Sequence, residues 1–303
     1  MVEAVLGRLA EAGARLVGMA DAPSILGAGI EAEVLLALPR AVTATALRLL
    51  LAQPDAWRAW AEGWQGWLAQ PPSATALWQL HAAAQWRLAR SGALRRLLEP
   101  ARIAIVGPPN AGKSTLANAL LGRAVSITSE HAGTTRDWVD AQAIFSTPNA
   151  GGGPDIHVPV TLIDTAGIRE TPDPLEQASI ARTHGQAADA DVVIYLVDGA
   201  SKAPADLNLA ALAQRPLVLG CNKCDLPAAD ISPALLALQP VRISAKMHQG
   251  LDTLMTAVLE QMDLVALSHE PFAFCAARQA CLAELTVCND RSRCAELLNT
   301  LRL

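Results

Sequence analysis

Hydrophobic positions follow two patterns along the chain. Between Ile103 and Ile243, short apolar runs alternate with longer segments of mixed polarity. Continuous apolar runs of this length predict buried strands, most of them in a parallel sheet whose faces are covered by helices. Residues 1–98 and 269–303 contain no convincing strand and are rich in helix-forming residues. The pattern therefore predicts an α/β domain between two helical segments.

The apolar runs set the expected order of elements. A loop with a triple glycine joins the second and third runs, so these two strands are expected to form a hairpin. Helices are expected at 113–121 and 250–262. The predicted strands are 103–106, 138–145, 158–163, 191–197, 216–221 and 240–243. The expected fold is a mostly parallel six-stranded sheet with helices on both faces, inserted in or joined to an all-α helical domain. The expected domains are 1–98, 99–268 and 269–303.

Four tryptophans mark one face of a predicted helix in the first segment. Prolines or capping residues near positions 21–23, 38–39, 53–55 and 70–73 predict helix breaks there. Between two of these breaks the tryptophans are spaced three, four and three residues apart, which places them on one helical face. They are Trp57, Trp60, Trp64 and Trp67. A buried core or dimer seam is the favoured interpretation, and a surface for a partner or for stacked RNA bases is the alternative.

Two other clusters have a structural interpretation. The basic run, which consists of Arg87, Arg90, Arg95 and Arg96, is interpreted as a solvated helix face rather than an RNA contact. The C-terminal cysteines are separated by six, seven and six positions, and metal ligands usually lie closer together. We therefore expect buried thiols there. These cysteines are Cys275, Cys281, Cys288 and Cys294.

Composition adds few constraints. The net charge of −5, from 24 basic and 29 acidic residues, gives no argument for nucleic-acid or membrane binding. The first residues lack a cationic segment followed by a long apolar core, and no apolar stretch is long enough to span a membrane. Six cysteines without secretory features predict reduced thiols, so the expected location is the cytoplasm.

A phosphate-binding loop follows the first predicted strand. Gly107 is followed after four residues by Gly112, Lys113 and Ser114, between a strand and a helix. Glycines let the backbone wrap a phosphate, and amide N–H groups at a helix N-terminus face it. Lys113 is expected at the β and γ phosphates and Ser114 at Mg²⁺. Asn110, Ala111 and Thr115 complete the expected contact set.

The third predicted strand is followed by a second phosphate motif. Asp164 stands at the end of that strand, and Gly167 follows three positions later. An acidic residue there can approach Mg²⁺ through water, and the glycine N–H can bind the γ-phosphate. The motif is weak by itself, but behind a phosphate loop it indicates nucleotide hydrolysis.

The fifth strand is followed by a base-recognition motif. The carboxylate of Asp225 can accept hydrogen bonds from the N1–H and the exocyclic amine of guanine, a pair that adenine does not offer. Asn222 is expected to tie neighbouring loops, and the stem of Lys223 to cover the base. Amides of Ser244, Ala245 and Lys246 are expected at the guanine carbonyl oxygen. These motifs favour GTP over ATP. The pair Cys221 and Cys224 lacks a second ligand pair, so zinc is not predicted.

Five motifs stand in the order GPPNAGKS, GTTRD, DTAG, NKCD and SAK. Together they resemble the P-loop GTPases of the TrmE-Era-EngA branch, and DTAGIRE is most similar to the MnmE/TrmE tRNA-modification GTPases. The resemblance covers residue 102 to about residue 263. It implies that the two chain ends pack into one helical domain with the GTPase domain inserted between them.

The resemblance also implies roles for single residues. Thr135 is the switch threonine that binds Mg²⁺ beside GTP. Asn110 helps to hold a potassium ion beside the phosphates, and Glu176 acts on the attacking water when two GTPase domains meet in a transient homodimer. From the residues alone, Asn110 is a loop-stabilising side chain and Glu176 an exposed helix residue, so both interpretations stay open.

Two parts of the family lie outside the resemblance. The family carries a folate-binding domain before its helices and a Cys-x-Gly-Lys motif near its C terminus, and this chain ends ELLNTLRL. Both are tied to tRNA modification, so that activity stays open here, as does constitutive dimerisation.

The expected activity is hydrolysis of GTP to GDP and phosphate as a conformational switch, with Mg²⁺ and with stimulation by K⁺. The expected partners are a second GTPase domain and an RNA or protein effector, but no membrane. One alternative is a GTP-gated binding module whose hydrolysis times the docking of the tryptophan-bearing helices. Another is a ribosome-assembly GTPase similar to Era, for which the residues after 271 are too few to form an RNA-binding domain.

Overall fold

The computed structural model describes residues 29–69, 74–123, 140–163, 190–201, 215–227 and 237–303. The chain divides into two compact units. The α/β unit comprises Val42–Ala46 and Gly92–Ser268, and the helical unit comprises Leu47–Ser91, His269–Leu303 and the described part of Met1–Ala41.

The α/β unit contains one six-stranded sheet with the order β2-β3-β1-β4-β5-β6. Only the pair β2 and β3 is antiparallel, and the other neighbours are parallel. The predicted fold class is therefore confirmed. Each strand begins and ends within two residues of its predicted bounds. The strands are β1 Ala101–Val106, β2 Asp140–Thr147, β3 Ile156–Ile163, β4 Val192–Asp198, β5 Leu217–Asn222 and β6 Val241–Arg242.

Apolar side chains fill the centre of this sheet. β1 is almost fully buried, and most of β4 is buried as well. Removing this much apolar surface from water is the main favourable term for the sheet. Among the described residues of this unit, two helices pack on the sheet, one of them against β2 and β5. Numbered in chain order among the described helices, they are α5 Lys113–Arg123 and α6 Leu251–Gln261.

The helical unit is built around one buried tryptophan. Trp57 is fully buried, and its indole N–H donates to the Phe272 carbonyl over 3.3 Å. The guanidinium of Arg278 lies 5.4 Å from the Trp57 ring centroid and also bonds Glu33 and the Leu301 carbonyl. The other described helices are α1 Ile30–Ala37, α2 Ala44–Leu51, which begins in the α/β unit, α3 Gln53–Leu68, α4 Ala74–Leu94, α7 Ala276–Leu285 and α8 Arg291–Arg302.

The tryptophan face lies on the single helix α3, as its spacing predicts. Only Trp57 is fully buried, whereas the other three are half-buried and stack edge to face along the helix at centroid distances of 5.4 to 6.5 Å. Together with neighbours on α3 and α4 they line an open groove of about 410 Å³. The buried-core interpretation is thus confirmed for Trp57 alone. The groove residues are Ala59, Trp60, Gly63, Trp64, Trp67 and Gln79.

The basic run is not a solvated face. Arg90 pairs with Glu270 at 3.1 Å and Arg87 with the same carboxylate at 3.7 Å, and their side chains are only 9% and 17% exposed. Burial lowers the pKa of Arg87, and Glu270 opposes that shift. Within the α/β unit, Arg96 pairs with Asp191. The expected solvated face is wrong for these three residues, because each is paired with a carboxylate that is distant in sequence.

All six cysteines are free thiols. Cys281 and Cys294 are buried, and burial raises their pKa to about 11 and about 12. Cys275 and Cys288 are half-buried. The described residues contain no group of three or more side chains that could hold a metal ion. The buried-thiol interpretation is confirmed for Cys281 and Cys294, which are protonated near neutral pH.

Among the helices that the structure describes, none combines the length and the apolar character that a membrane crossing requires.

Candidate nucleotide-binding site

The parallel strands bring the phosphate loop and the base-recognition motif to one edge of the sheet. β1 ends at Val106, where the phosphate loop begins, and β5 ends at Asn222, the first residue of the base-recognition motif. The carboxyl ends of parallel strands meet at one edge, where α/β sheets bind their ligands. In the register, Val106 lies opposite Tyr195 and Asp198 lies opposite Asn222.

The entrance of the phosphate loop requires glycine. Gly107 has φ +145°, and a Cβ atom built on it would lie 2.1 Å from the carbonyl oxygen of Leu196. The loop can therefore pass this close to β4 only without a side chain. Asn110 is exposed further along the loop and has a left-handed backbone, φ +60°. A short polar side chain tolerates this conformation better than a branched one.

Lys113 begins α5 and folds back over the loop. Its ammonium donates to the carbonyl oxygens of Gly107 at 3.0 Å and of Pro108 at 2.9 Å. Burial lowers the pKa of Lys113, since carbonyl groups only partly replace its hydration. A bound anion would reverse that shift by supplying the missing negative charge. Ser114 follows as a half-buried residue and Thr115 as an exposed one.

Asn222 connects the phosphate loop with the last motif. Its side-chain amide donates to the Ala111 carbonyl at 2.8 Å, and its side-chain oxygen accepts the Ala245 N–H at 3.0 Å. The residue is 3% exposed, so both bonds form away from bulk water. A Cβ atom on Gly112 would lie 2.2 Å from the same amide nitrogen. The predicted tying role of Asn222 corresponds to these contacts.

The base side of the site is open. Asp225 is exposed, and the Cys224 N–H donates to the Ile243 carbonyl at 3.0 Å, which fixes the loop beside β6. Lys223 has a left-handed backbone, φ +64°, and its ammonium lies 2.6 Å from a carboxylate oxygen of Asp198. The motif therefore leaves the carboxylate of Asp225 accessible, while the ammonium of Lys223 is already paired.

Hydrogen bonds between its own residues hold the loop that contains the SAK motif. Ser244 pairs with Gln249 through two backbone hydrogen bonds of 3.0 Å, and its hydroxyl accepts the Met247 N–H at 3.1 Å. Ser244 and Ala245 are buried, and Lys246 is exposed. These bonds fix the backbone that was expected at the guanine carbonyl.

Four predicted site residues lie outside the described residues. They are Thr135, Asp164, Gly167 and Glu176. Conversely, Asp198 belongs to none of the predicted site motifs, yet it pairs with the lysine of the base-recognition motif. Its only signal in the sequence is an acidic residue before glycine at the end of an apolar run.

A family model confirms the chemistry that these motifs indicate. Residues 102–223 match the family described as "50S ribosome-binding GTPase". The segment contains the phosphate loop and extends to Lys223 of the base-recognition motif. The central domain is therefore a GTPase domain, and the expected enzyme class and guanine nucleotide are confirmed for it.

Individual proteins are also similar to this chain. The tRNA modification GTPase MnmE of Syntrophotalea carbinolica is 38% identical over 169 residues, which are 55% of this chain and 35% of that protein. MnmE of Rhodopseudomonas palustris strain HaA2 is 44% identical over 160 residues, 52% of this chain and 32% of that protein. The chain thus spans about a third of the length of these relatives. Among solved structures, Era of Aquifex aeolicus bound to GDP.AlF4- is 27% identical over 57% of this chain and 59% of that chain, with a TM-score of 0.33.

Proposed function

We propose that this chain, which carries an MnmE-like GTPase domain, binds GTP and Mg²⁺ and hydrolyses GTP as a conformational switch. One observation carries the proposal. Asn222 holds the Ala111 carbonyl and the Ala245 amide at once, so the phosphate loop and both base motifs are joined at one edge of the sheet. Such preorganisation lowers the free energy that a nucleotide would need to order its own site.

On the phosphate side, the residues fit an anion. Gly107 and Gly112 let the loop pass so close to Leu196 and Asn222 that a Cβ atom would clash, and the described hydrogen bonds of the Lys113 ammonium go to neutral carbonyls of the loop. We propose that Lys113 moves to the β and γ phosphates. Water then attacks the γ-phosphorus in line, its new bond forming as the bond to the β–γ bridging oxygen breaks, which yields GDP and phosphate.

Mg²⁺ fits the proposed donor set, which consists of Ser114, Thr135 and Asp164. Only Ser114 is described, and a hydroxyl oxygen at the start of a helix beside the loop is a donor that Mg²⁺ accepts. The ion supplies positive charge to the transferring oxygens when it is bound. The proposed γ-phosphate contact of Gly167 rests on the motif order alone.

We extend the proposal to K⁺ and to a transient homodimer of GTPase domains. The exposed carboxamide of Asn110, in a loop with left-handed backbone, offers an oxygen donor beside the phosphates. Glu176 is proposed to act on the attacking water once two domains meet. Hydrolysis in potassium against sodium, measured alongside molecular mass with a GTP transition-state analogue, tests both parts.

The base assignment has the sharpest test. Asp225→Asn replaces an acceptor by an amide, so we expect the preference to shift from guanosine to xanthosine nucleotides by about tenfold or more. Competition of GDP, XDP and ADP against a fluorescent guanine nucleotide measures this shift. The matched control is Asp252→Asn on α6. Unchanged GDP selectivity in Asp225→Asn would refute the assignment.

A GTP-gated binding module is the second candidate function, and the tryptophan groove of about 410 Å³ is the observation that favours it. Stoichiometric binding of RNA or protein only with a non-hydrolysable GTP analogue, together with slow turnover, would select it. The names of the relatives make tRNA modification the first RNA-related process to test. A cytoplasmic location belongs to the same proposal.

A further inference from the structure

Asp198 stands at the end of β4 and belongs to none of the five nucleotide motifs. Its carboxylate nevertheless meets the base-recognition motif directly, since Oδ2 lies 2.6 Å from the ammonium of Lys223. The two side chains are 15% and 32% exposed. The pair is therefore shielded enough to have a defined geometry, unlike an ion pair in open solvent.

Every oxygen of this carboxylate is used. Oδ1 accepts the Ala200 N–H at 2.9 Å, and Oδ2 also accepts the Ser201 hydroxyl at 3.1 Å. Burial alone would raise the pKa of Asp198, but the hydrogen bonds from Lys223, Ala200 and Ser201 hold it below its ordinary value. Asp198 is thus an anion at neutral pH, fixed in one orientation.

The backbone beneath the pair is equally constrained. Asp198 lies opposite Asn222 in the ladder, and the Gly199 N–H donates to the Asn222 carbonyl at 2.8 Å. A Cβ atom on Gly199 would lie 2.8 Å from both that carbonyl oxygen and the Cys221 Sγ. Only glycine allows this approach, so the turn after β4 sets where the carboxylate stands relative to Lys223.

We propose that Asp198 is a positioning residue for guanine recognition, which anchors the Lys223 ammonium so that the methylene stem is laid over the base beside Asp225. This inference rests on the proposed function. A free lysine side chain would lose its rotamer freedom only when the nucleotide binds, whereas the anchored one has lost it already. The loss of the anchor should therefore weaken GDP binding by about 10- to 30-fold.

The test is a double-mutant cycle on GDP affinity, measured with a fluorescent GDP in the full chain. Asp198→Asn keeps an oxygen for the Ala200 N–H and removes the charge. We expect it to weaken GDP binding about 10- to 30-fold in the wild-type background and less than about twofold when Lys223→Met is present. Equal weakening in both backgrounds would mean that Asp198 only supports the fold, and would overturn the proposal. So would an unchanged affinity in the single variant.

Two controls complete the design. Ser201→Ala removes a hydrogen bond from the same oxygen but leaves the ion pair, so its GDP affinity should stay within about twofold of wild type. Should Asp198→Asn fail to fold, Lys223→Arg is compared with Lys223→Met. The guanidinium keeps a charged partner for Asp198, so the arginine variant should bind GDP at least about fivefold more tightly. Equal loss in these two variants would count against the anchor.

Nucleotide binding by the wild-type protein distinguishes a failure of the proposed function from a failure of the proposed role of Asp198. If it binds neither GDP nor GTP above the level of ADP, the proposed function fails. If it binds GDP selectively and the cycle shows no coupling, only the role of Asp198 fails.

Discussion

Arg278 is a buried cation and Lys113 a half-buried one, and they differ in what neutralises their charge. In the helical unit, Arg278 meets the carboxylate of Glu33, the Leu301 carbonyl and the face of Trp57. At the nucleotide edge of the α/β unit, the described hydrogen bonds of the Lys113 ammonium go to two neutral carbonyls. Arg278 is thus paired within the fold, whereas Lys113 is held in place with its charge uncompensated by either contact.

This difference distinguishes a cation that stabilises the fold from one that we propose binds an anionic ligand. A cation whose partners are all supplied by the chain stabilises the fold, and its removal leaves a partner carboxylate without its counter-charge. A cation held by carbonyls pays for desolvation without a counter-ion, so a ligand that carries negative charge can recover that free energy. Replacing each cation by methionine, which keeps an apolar stem, tests this distinction.

Lys113→Met should give the largest effect, and it should fall on activity. Phosphate release from GTP should slow by about 10²- to 10³-fold, because a charged group that stabilises the developing phosphate charge is gone. The free energy of unfolding should not fall by more than about 0.5 kcal/mol. Single-turnover hydrolysis and urea unfolding measure the two quantities. A protein that loses stability and keeps its hydrolysis rate would reverse the comparison.

Arg278→Met should show the opposite response. Its guanidinium is 4% exposed and Glu33 is 25% exposed, so breaking the pair should lower the free energy of unfolding by about 3 kcal/mol. The matched control is Arg58→Met, whose side chain is 44% exposed beside Glu31 and Asp55 and which should cost about 0.5 kcal/mol or less. Urea unfolding of both variants decides the matter. Similar losses in the two would show that burial does not control the energy of these pairs.

Substitutions at two glycines compare the backbone of the phosphate loop with that of the helical unit. Gly112→Ala places a Cβ atom 2.2 Å from the anchored amide of Asn222 at φ +92°, so it should lower the free energy of unfolding by about 1 to 3 kcal/mol and weaken GDP binding. Gly66→Ala in α3 meets no atom within 4 Å and should raise stability by about 0.5 kcal/mol. Thermal unfolding measures both. Stabilisation by Gly112→Ala would show that the Asn222 bridge yields easily.

The strands could be predicted well, because continuous apolar runs report burial on both faces of a parallel sheet. β1 and β5 lie within two residues of their predicted bounds. The nucleotide motifs could also be chosen from the sequence, since glycines, Lys113 and the Asn222 motif stand at fixed local spacings. The backbone geometry of such a motif depends on a few neighbouring residues, so a short sequence pattern is enough to predict it.

Contacts between distant segments could not be predicted in this way. Arg87 and Arg90 read as solvated because their own helix offers no buried partner, and Glu270 lies 180 or more positions further on. The tryptophan spacing predicted one face but not that Trp57 alone would be buried there. Burial depends on which other elements cover a face, and periodicity within one helix does not contain that information.

The sequence by itself determined which groups are available to a nucleotide and their order along the chain, because phosphate loops and base motifs are local constellations. The tertiary structure decided which of those groups are already paired. The register of β4 against β5 brings Asp198 to Lys223 across 25 positions of chain, and the fold brings Arg278 to Glu33 across 245. Neither contact can be recognised from a periodic pattern in the sequence, because strand register and helix packing depend on the whole core rather than on neighbouring residues.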